Sequence, residues 1–116
     1  MEGRPLATVV GRWAAERWPD GRVGLVVGAT APGVLLRLRE EVPGPSFLVP
    51  GVGAQGGDLV SAVSGCHGTW APGLVNVSRA ISDRARGADW RRAAADAAQG
   101  WLDEMREAGA TLGATS

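Results

Sequence analysis

Seven consecutive residues, Gly51-Val52-Gly53-Ala54-Gln55-Gly56-Gly57, have the make-up of an anion cradle. Their glycines let backbone N–H groups come close to a bound oxygen, and the stretch follows an apolar run and precedes a helical pattern. A helix N-terminus at that place adds partial positive charge and unpaired N–H donors. Gln55, an amide between glycines, can donate to a phosphate oxygen and accept from a ligand hydroxyl or ring N–H. Arg79 stands at the matching place after the next apolar run, where its planar guanidinium can fork onto two phosphate oxygens. The chemistry on offer is recognition of a phosphate ester. Each feature alone has a plainer reading, a Gly-rich turn that only reverses the chain and an arginine on a wet surface. The pairing favours a site, because parallel α/β barrels often hold phosphate with the loops after two successive strands, near a short helix N-terminus.

A competing motif lies in the same residues. Gly51-x-Gly53-x-x-Gly56 matches the dinucleotide-binding fingerprint, which also wants an acidic residue about 20 positions on to hold the ribose hydroxyls. Asn76, Ser78 and Arg79 stand there instead, which weighs against a nicotinamide or flavin. Cys66-His67 could be advertised as nucleophile and base, but adjacent side chains point apart in most backbone geometries, and the pair reads as ordinary loop. Asp58 favours the N-terminus of its helix. Trp13, Trp18, Trp90 and Trp101 fall on helix faces and read as packing.

The elements that must position the cradle alternate. Leu6, Val9, Val10, Trp13 and Ala14 form a helical stripe after Pro5, closed by Trp18-Pro19-Asp20-Gly21. Val23 to Val27 is apolar at nearly every position, which suits a parallel strand buried on both faces. A second helix opens at Pro32, with Val34, Leu35 and Leu38 inward and Arg37, Arg39, Glu40 and Glu41 wet, and Pro43-Gly44-Pro45 stops it. Phe47-Leu48-Val49 is the second strand and delivers the cradle. A third helix follows Gly57-Asp58 with Leu59, Val60 and Val63; Cys66 to Pro72 is an irregular connection. Leu74 to Val77 is the third strand, delivering Ser78 and Arg79. The last helix, with Asp89 as N-cap and Gly109 as stop, aligns Trp90, Ala94, Ala97, Trp101, Leu102 and Met105. This α-β-α-β-α-β-α order predicts an α/β fold with parallel strands joined by right-handed crossovers. Residues 1–116 form a single partial domain, with a frayed tail over 110–116.

Composition narrows the chemistry. The 116 residues make one modest domain, against about 250 for a full (β/α)₈ barrel. Net charge is zero and the charges are scattered, so no nucleic-acid partner is expected and no anionic membrane surface. There is neither a run of about 20 apolar residues nor a signal-peptide pattern, and the expected location is cytoplasmic. One cysteine and one histidine leave too few soft ligands for a structural zinc, and no metal or cofactor is implied. All 12 basic residues are arginines. Any step that needs a lysine ammonium must be carried by another segment.

Three blocks are long and specific: Gly24-Leu25-Val26-Val27-Gly28-Ala29-Thr30, then Phe47 through Asp58, then Asn76-Val77-Ser78-Arg79-Ala80-Ile81. Together with Gly3-Arg4-Pro5-Leu6, and on to about Ala108, they resemble the C-terminal half of orotidine 5'-phosphate decarboxylase, in the bacterial subgroup found in mycobacteria and related organisms. Val77, where that subgroup usually has serine, and Ser82-Asp83-Arg84, where it usually has apolar and aromatic residues, depart from the pattern. The resemblance implies a partial (β/α)₈ TIM barrel, with three parallel strands corresponding to strands six to eight. It implies cofactor-free loss of CO₂ from orotidine monophosphate to give uridine monophosphate. It further implies that Gln55 contacts the phosphate and the pyrimidine, that Arg79 clamps the phosphate with backbone N–H groups of Ser78 and Gly53, and that Pro50 packs beneath the base. The family's proton donor is the lysine of an Asp-x-Lys-x-x-Asp signature on an earlier strand, so no catalytic residue is expected in this chain and no turnover from it alone.

Three strands cut from a barrel would leave two unpaired edges and an uncovered inner face, which invite association. The chain is therefore expected to pair with a second copy or a separate N-terminal half, or to be poorly soluble, and the resemblance makes orotidine or uridine monophosphate its expected ligand. Two other readings stay open: a non-catalytic module that binds a nucleotide monophosphate, and a decayed fragment.

Overall fold

Phe47, Leu48 and Val49 form the central strand of a small sheet, because β-branched and aromatic residues here meet helices on one side. The computed structural model describes residues 3–53 and 57–115, with side chains as far as residue 110. Helix α1 (Leu6–Arg17) leads to β1 (Leu25–Val26), α2 (Pro32–Glu41), β2 (Phe47–Val49), α3 (Leu59–Cys66) and β3 (Leu74–Val75). A four-residue helix, α4 (Arg79–Ser82), and the long α5 (Trp90–Thr115) complete the described chain. The strands lie in the order β1-β2-β3 and all pairs are parallel, as the alternation of elements predicts. Backbone hydrogen bonds run past the short strands: Ala29 N–H donates to Pro50 O at 2.9 Å and Asn76 N–H to Val49 O at 3.0 Å.

The core lies between the sheet and the helices, around Leu35, Leu38, Val42, Phe47, Val49 and Ala62. The other face of the sheet is bare. Val26, Leu48 and Leu74 are register partners across the three strands, and they are 72%, 41% and 69% exposed. The expectation that Val23 to Val27 is buried on both faces is therefore corrected. Leu25 and Val27 pack against the core, and Gly24, Val26 and Gly28 alternate outward.

Helix α1 also departs from its sequence stripe. Thr8, Gly11 and Ala14 are buried, whereas Leu6, Val10 and Trp13 are exposed. The cause is close approach: a Cβ at Gly11 would lie 3.2 Å from Val42 and 3.4 Å from Leu25 and Leu38, so only the small-residue face fits inward. Val34, Val60, Trp90 and Leu102, expected inward, are likewise exposed on their helices. Helix α5 passes the stop expected at Gly109, whose φ is not the left-handed one a terminating glycine adopts.

Arg39 and Glu41, expected to be wet, are half-buried. Arg39 Nε donates to Gly65 O at 2.8 Å, Nη1 to Val42 O and Pro43 O at 2.9 and 3.0 Å, and Nη2 to Pro45 O at 2.8 Å. Its guanidinium carbon sits 3.6 Å from the centre of the Phe47 ring. One side chain thus collects the carbonyls that α2, the turn before β2 and α3 would otherwise leave open. Burial, rather than the neighbouring Cys66, sets the direction of its shift and lowers its pKa. Glu41 meets Arg12 at 3.4 Å, tying α1 to α2.

Candidate functional site

The glycine-rich segment leaves β2 through Pro50, which is half-buried. Gly51 and Gly53 take φ values of 95° and 83°, a region that disfavours any side chain, so these two glycines are required by conformation. Gly57 is required by space. Its N–H donates to Gly51 O at 2.8 Å, and a Cβ on it would lie 2.3 Å from that oxygen and 2.7 Å from the Ala29 Cβ. The loop therefore folds back on its own start, with a parallel bridge between Val52 and Gly57. Gln55 lies outside the described residues.

Asp58 then caps α3. Its carboxylate accepts from Val60 N–H at 3.2 Å and from the Ser61 hydroxyl. The Ser61 hydroxyl, more than the backbone N–H groups of Val60 and Ser61, holds this carboxyl below the usual carboxylate range. A depressed pKa of this kind contributes stability above the ordinary carboxylate pKa, which is lost as pH falls through the lower folded value.

From β3 the chain reaches Ser78, the N-cap residue of α4, whose hydroxyl accepts from the Asn76 amide at 3.0 Å. Arg79 is the first residue of that helix and is exposed. The first helical bonds come from Ile81 and Ser82 to Ser78 O, so the N–H groups of Ser78, Arg79 and Ala80 have no acceptor within the helix. Arg79 makes no ion pair among the described residues.

The two halves of the corner meet at Gly53. A Cβ there would lie 2.8 Å from the Ala80 Cβ and 3.0 Å from Trp101 Cζ2. The structure thus brings the glycine-rich loop after β2 beside the first turn of α4 after β3. Sequence spacing identified the loop and Arg79, but not Ala29, Ala80 or Trp101, which hold them. None of these three carries a chemical signature in a sequence, since their part is contact alone. An open groove of about 750 Å³ extends from Arg79 and Ala80 along α5. Asp83, Asp96 and Glu104 line it with Arg79 and Arg84, so it offers a dianion no net positive charge beyond the Arg79 end.

Cys66 and His67 do not form a pair. Burial raises the Cys66 thiol pKa, and His67 Nδ1 accepts from Gly73 N–H at 3.1 Å, bracing the connection to β3. Among the described residues, no group of three histidine, cysteine or acidic side chains stands close enough to hold a metal ion, and no helix is long and apolar enough to cross a membrane.

No protein-family profile matches the chain. It is 43% identical over 107 residues to an orotidine 5'-phosphate decarboxylase of Bordetella pertussis, which covers 90% of this chain and 39% of that protein. The chain is homologous to one segment of orotidine 5'-phosphate decarboxylase. Solved structures agree. Leishmania donovani OMP decarboxylase superposes at a TM-score of 0.64 with 37% identity, over 89% of this chain and 40% of that one. Leishmania donovani UMP synthase superposes at 0.64 with 40% identity, over 91% of this chain and 23% of that one. The chain thus spans about two fifths of the length of the decarboxylases it matches. The three parallel strands with flanking helices are a partial decarboxylase fold.

Proposed function

We propose that this chain is the phosphate-gripping segment of an orotidine 5'-phosphate decarboxylase, the enzyme that converts orotidine monophosphate to uridine monophosphate and CO₂ in pyrimidine biosynthesis. The observation that carries the reading is the contact of Gly53 with Ala80, which sets the glycine-rich loop and Arg79 in one corner at the carboxyl ends of adjacent parallel strands. On this reading Arg79 clamps the phosphate with two charge-assisted bonds, and the N–H groups of Gly53 and Ser78 and the Gln55 amide complete the shell. Pro50 lies under the base. Binding energy gathered at the phosphate, remote from the reacting carbon, holds the substrate in position for the chemistry. The proton for that carbon has no source here, since the chain has no lysine, and the segment alone is silent.

The bare row of Val26, Leu48 and Leu74 and the free edges of β1 and β3 support a partner that supplies the remaining strands, or a second copy in its place. The expected result of size-exclusion chromatography with a hydrophobic dye is association or dye fluorescence. A compact monomer that leaves the dye dark overturns this part. Cys66, buried and unpaired, suits a reducing compartment, and we place the chain in the cytoplasm.

Titration with uridine 5'-monophosphate tests the site. Arg79→Ala is expected to weaken binding about 10- to 100-fold, the equivalent of a lost charged hydrogen-bonding partner worth about 1.5–3 kcal/mol. Equal affinity in the variant, or decarboxylation by the purified chain, refutes the reading.

A further inference from the structure

Gly53 does not meet α4 through hydrogen bonds. Among the described residues no backbone bond joins Gly51–Gly53 to Ser78–Ala80, so the spacing between loop and arginine is set by packing. Two surfaces do this. Ala80 presents its Cβ to Gly53, and the six-membered ring of Trp101 lies against the same glycine, with Cζ2 and Cη2 at 3.0 and 3.3 Å from the position a Cβ would take. Trp101 is half-buried and packs against the main core cluster, and it sits mid-way along α5, the helix that α3 and α4 both contact. Its ring is thus a wall, anchored in the core and touching the loop at Gly53, one of its left-handed residues.

We propose that Trp101 is a positioning residue for the phosphate corner: its ring holds Gly53 against Ala80 and so sets the distance between the Gly53 N–H donor and the Arg79 guanidinium. The inference rests on the reading of this corner as a phosphate site. Its physical basis is that a rigid indole with two side-chain torsions fills the space behind a glycine that has no side chain of its own to lock it. With the ring gone, the loop gains room on that side, and donors displaced by about 1 Å no longer meet the oxygens that Arg79 holds. Placement on α5 gives that helix a part in ligand binding although none of its residues need touch the ligand.

The experiment is a double-mutant cycle read by titration with uridine 5'-monophosphate on the full chain, with thermal unfolding of every variant alongside. Trp101→Ala is expected to weaken binding about 10-fold or more, and Trp101→Phe, which keeps a ring, to recover much of the loss. In the Arg79→Ala background, Trp101→Ala is expected to weaken binding by less than about 2-fold further, because the group it aligns is already gone. A residue that supports the fold alone would lower the melting temperature without this dependence on Arg79. Trp101→Ala and Trp101→Phe both binding like the parent, or losses that multiply independently in the double variant, overturn the proposal and leave the phosphate reading standing. If Trp101→Ala does not fold, Trp101→Phe and its double variant with Arg79→Ala decide by the same criterion. Absence of binding by the parent chain, or indifference to Arg79→Ala, overturns the phosphate reading and the inference with it.

Discussion

Replacing Gly57 by alanine is expected to lower stability by about 3 kcal/mol and to weaken uridine 5'-monophosphate binding about 100-fold. The added methyl would sit 2.3 Å from Gly51 O and 2.8 Å from Gly51 C, both backbone atoms that cannot rotate away. Relief requires the loop to open, which breaks the 2.8 Å bond from Gly57 N–H to Gly51 O and pulls at the 3.3 Å contact from Asp58 N–H to Ala29 O. The cost thus combines overpacking with a lost backbone hydrogen bond. Gly57 does not need its glycine for φ, which distinguishes this effect from the conformational one at Gly53. Gly33→Ala is the control: nothing outside its own turn lies within 4 Å of a Cβ there, so its affinity should match the parent and its melting temperature should be equal or slightly higher, as alanine favours the helix. Thermal unfolding and titration read both quantities. Parent-like melting and binding in Gly57→Ala would show that the loop does not close in this way.

The second large effect is at Arg39. Arg39→Met should destabilise the chain by about 3 kcal/mol, less than a sum over its bonds because bonds from one group to a shared network do not add. Methionine keeps much of the stem's packing but leaves the carbonyls of Val42, Pro43, Pro45 and Gly65 without their donor, and it removes the cation from the Phe47 ring. Arg39→Lys should recover only part of the loss, since an ammonium has no planar fork to reach carbonyls on several sides and no flat face to stack. Melting temperatures are the measurement, and for a domain of this size the expected drop in Arg39→Met is about 10 °C or more. A drop under about 2 °C would mean that water replaces the guanidinium at these carbonyls without penalty.

These two residues also show where sequence reading succeeds and where it stops. Gly57 stands out in the sequence because glycines between a strand and a helix let backbone groups approach closely, and Arg79 after the next strand gives the loop a matching partner. Arg39 does not stand out. Beside Arg37, Glu40 and Glu41 it looks like part of a wet helix face, and nothing local tells that the carbonyl ends of α2 and α3 converge on it.

The same division runs through the whole chain. The sequence by itself determined the alternation of helices and parallel strands, the strand Phe47–Val49, Asp58 at the start of its helix, the glycine-rich loop, the place of Arg79 after the third strand, and the absence of lysine. Each of these is written in neighbouring residues or in composition. Tertiary structure alone decided which faces are covered. It turned Gly11 inward and Leu6, Val10 and Trp13 outward on α1, left Val26, Leu48 and Leu74 as a bare apolar row, and set Trp101 behind Gly53. The physical reason is that periodicity tells which side chains share a face, whereas burial depends on how near the next element can come.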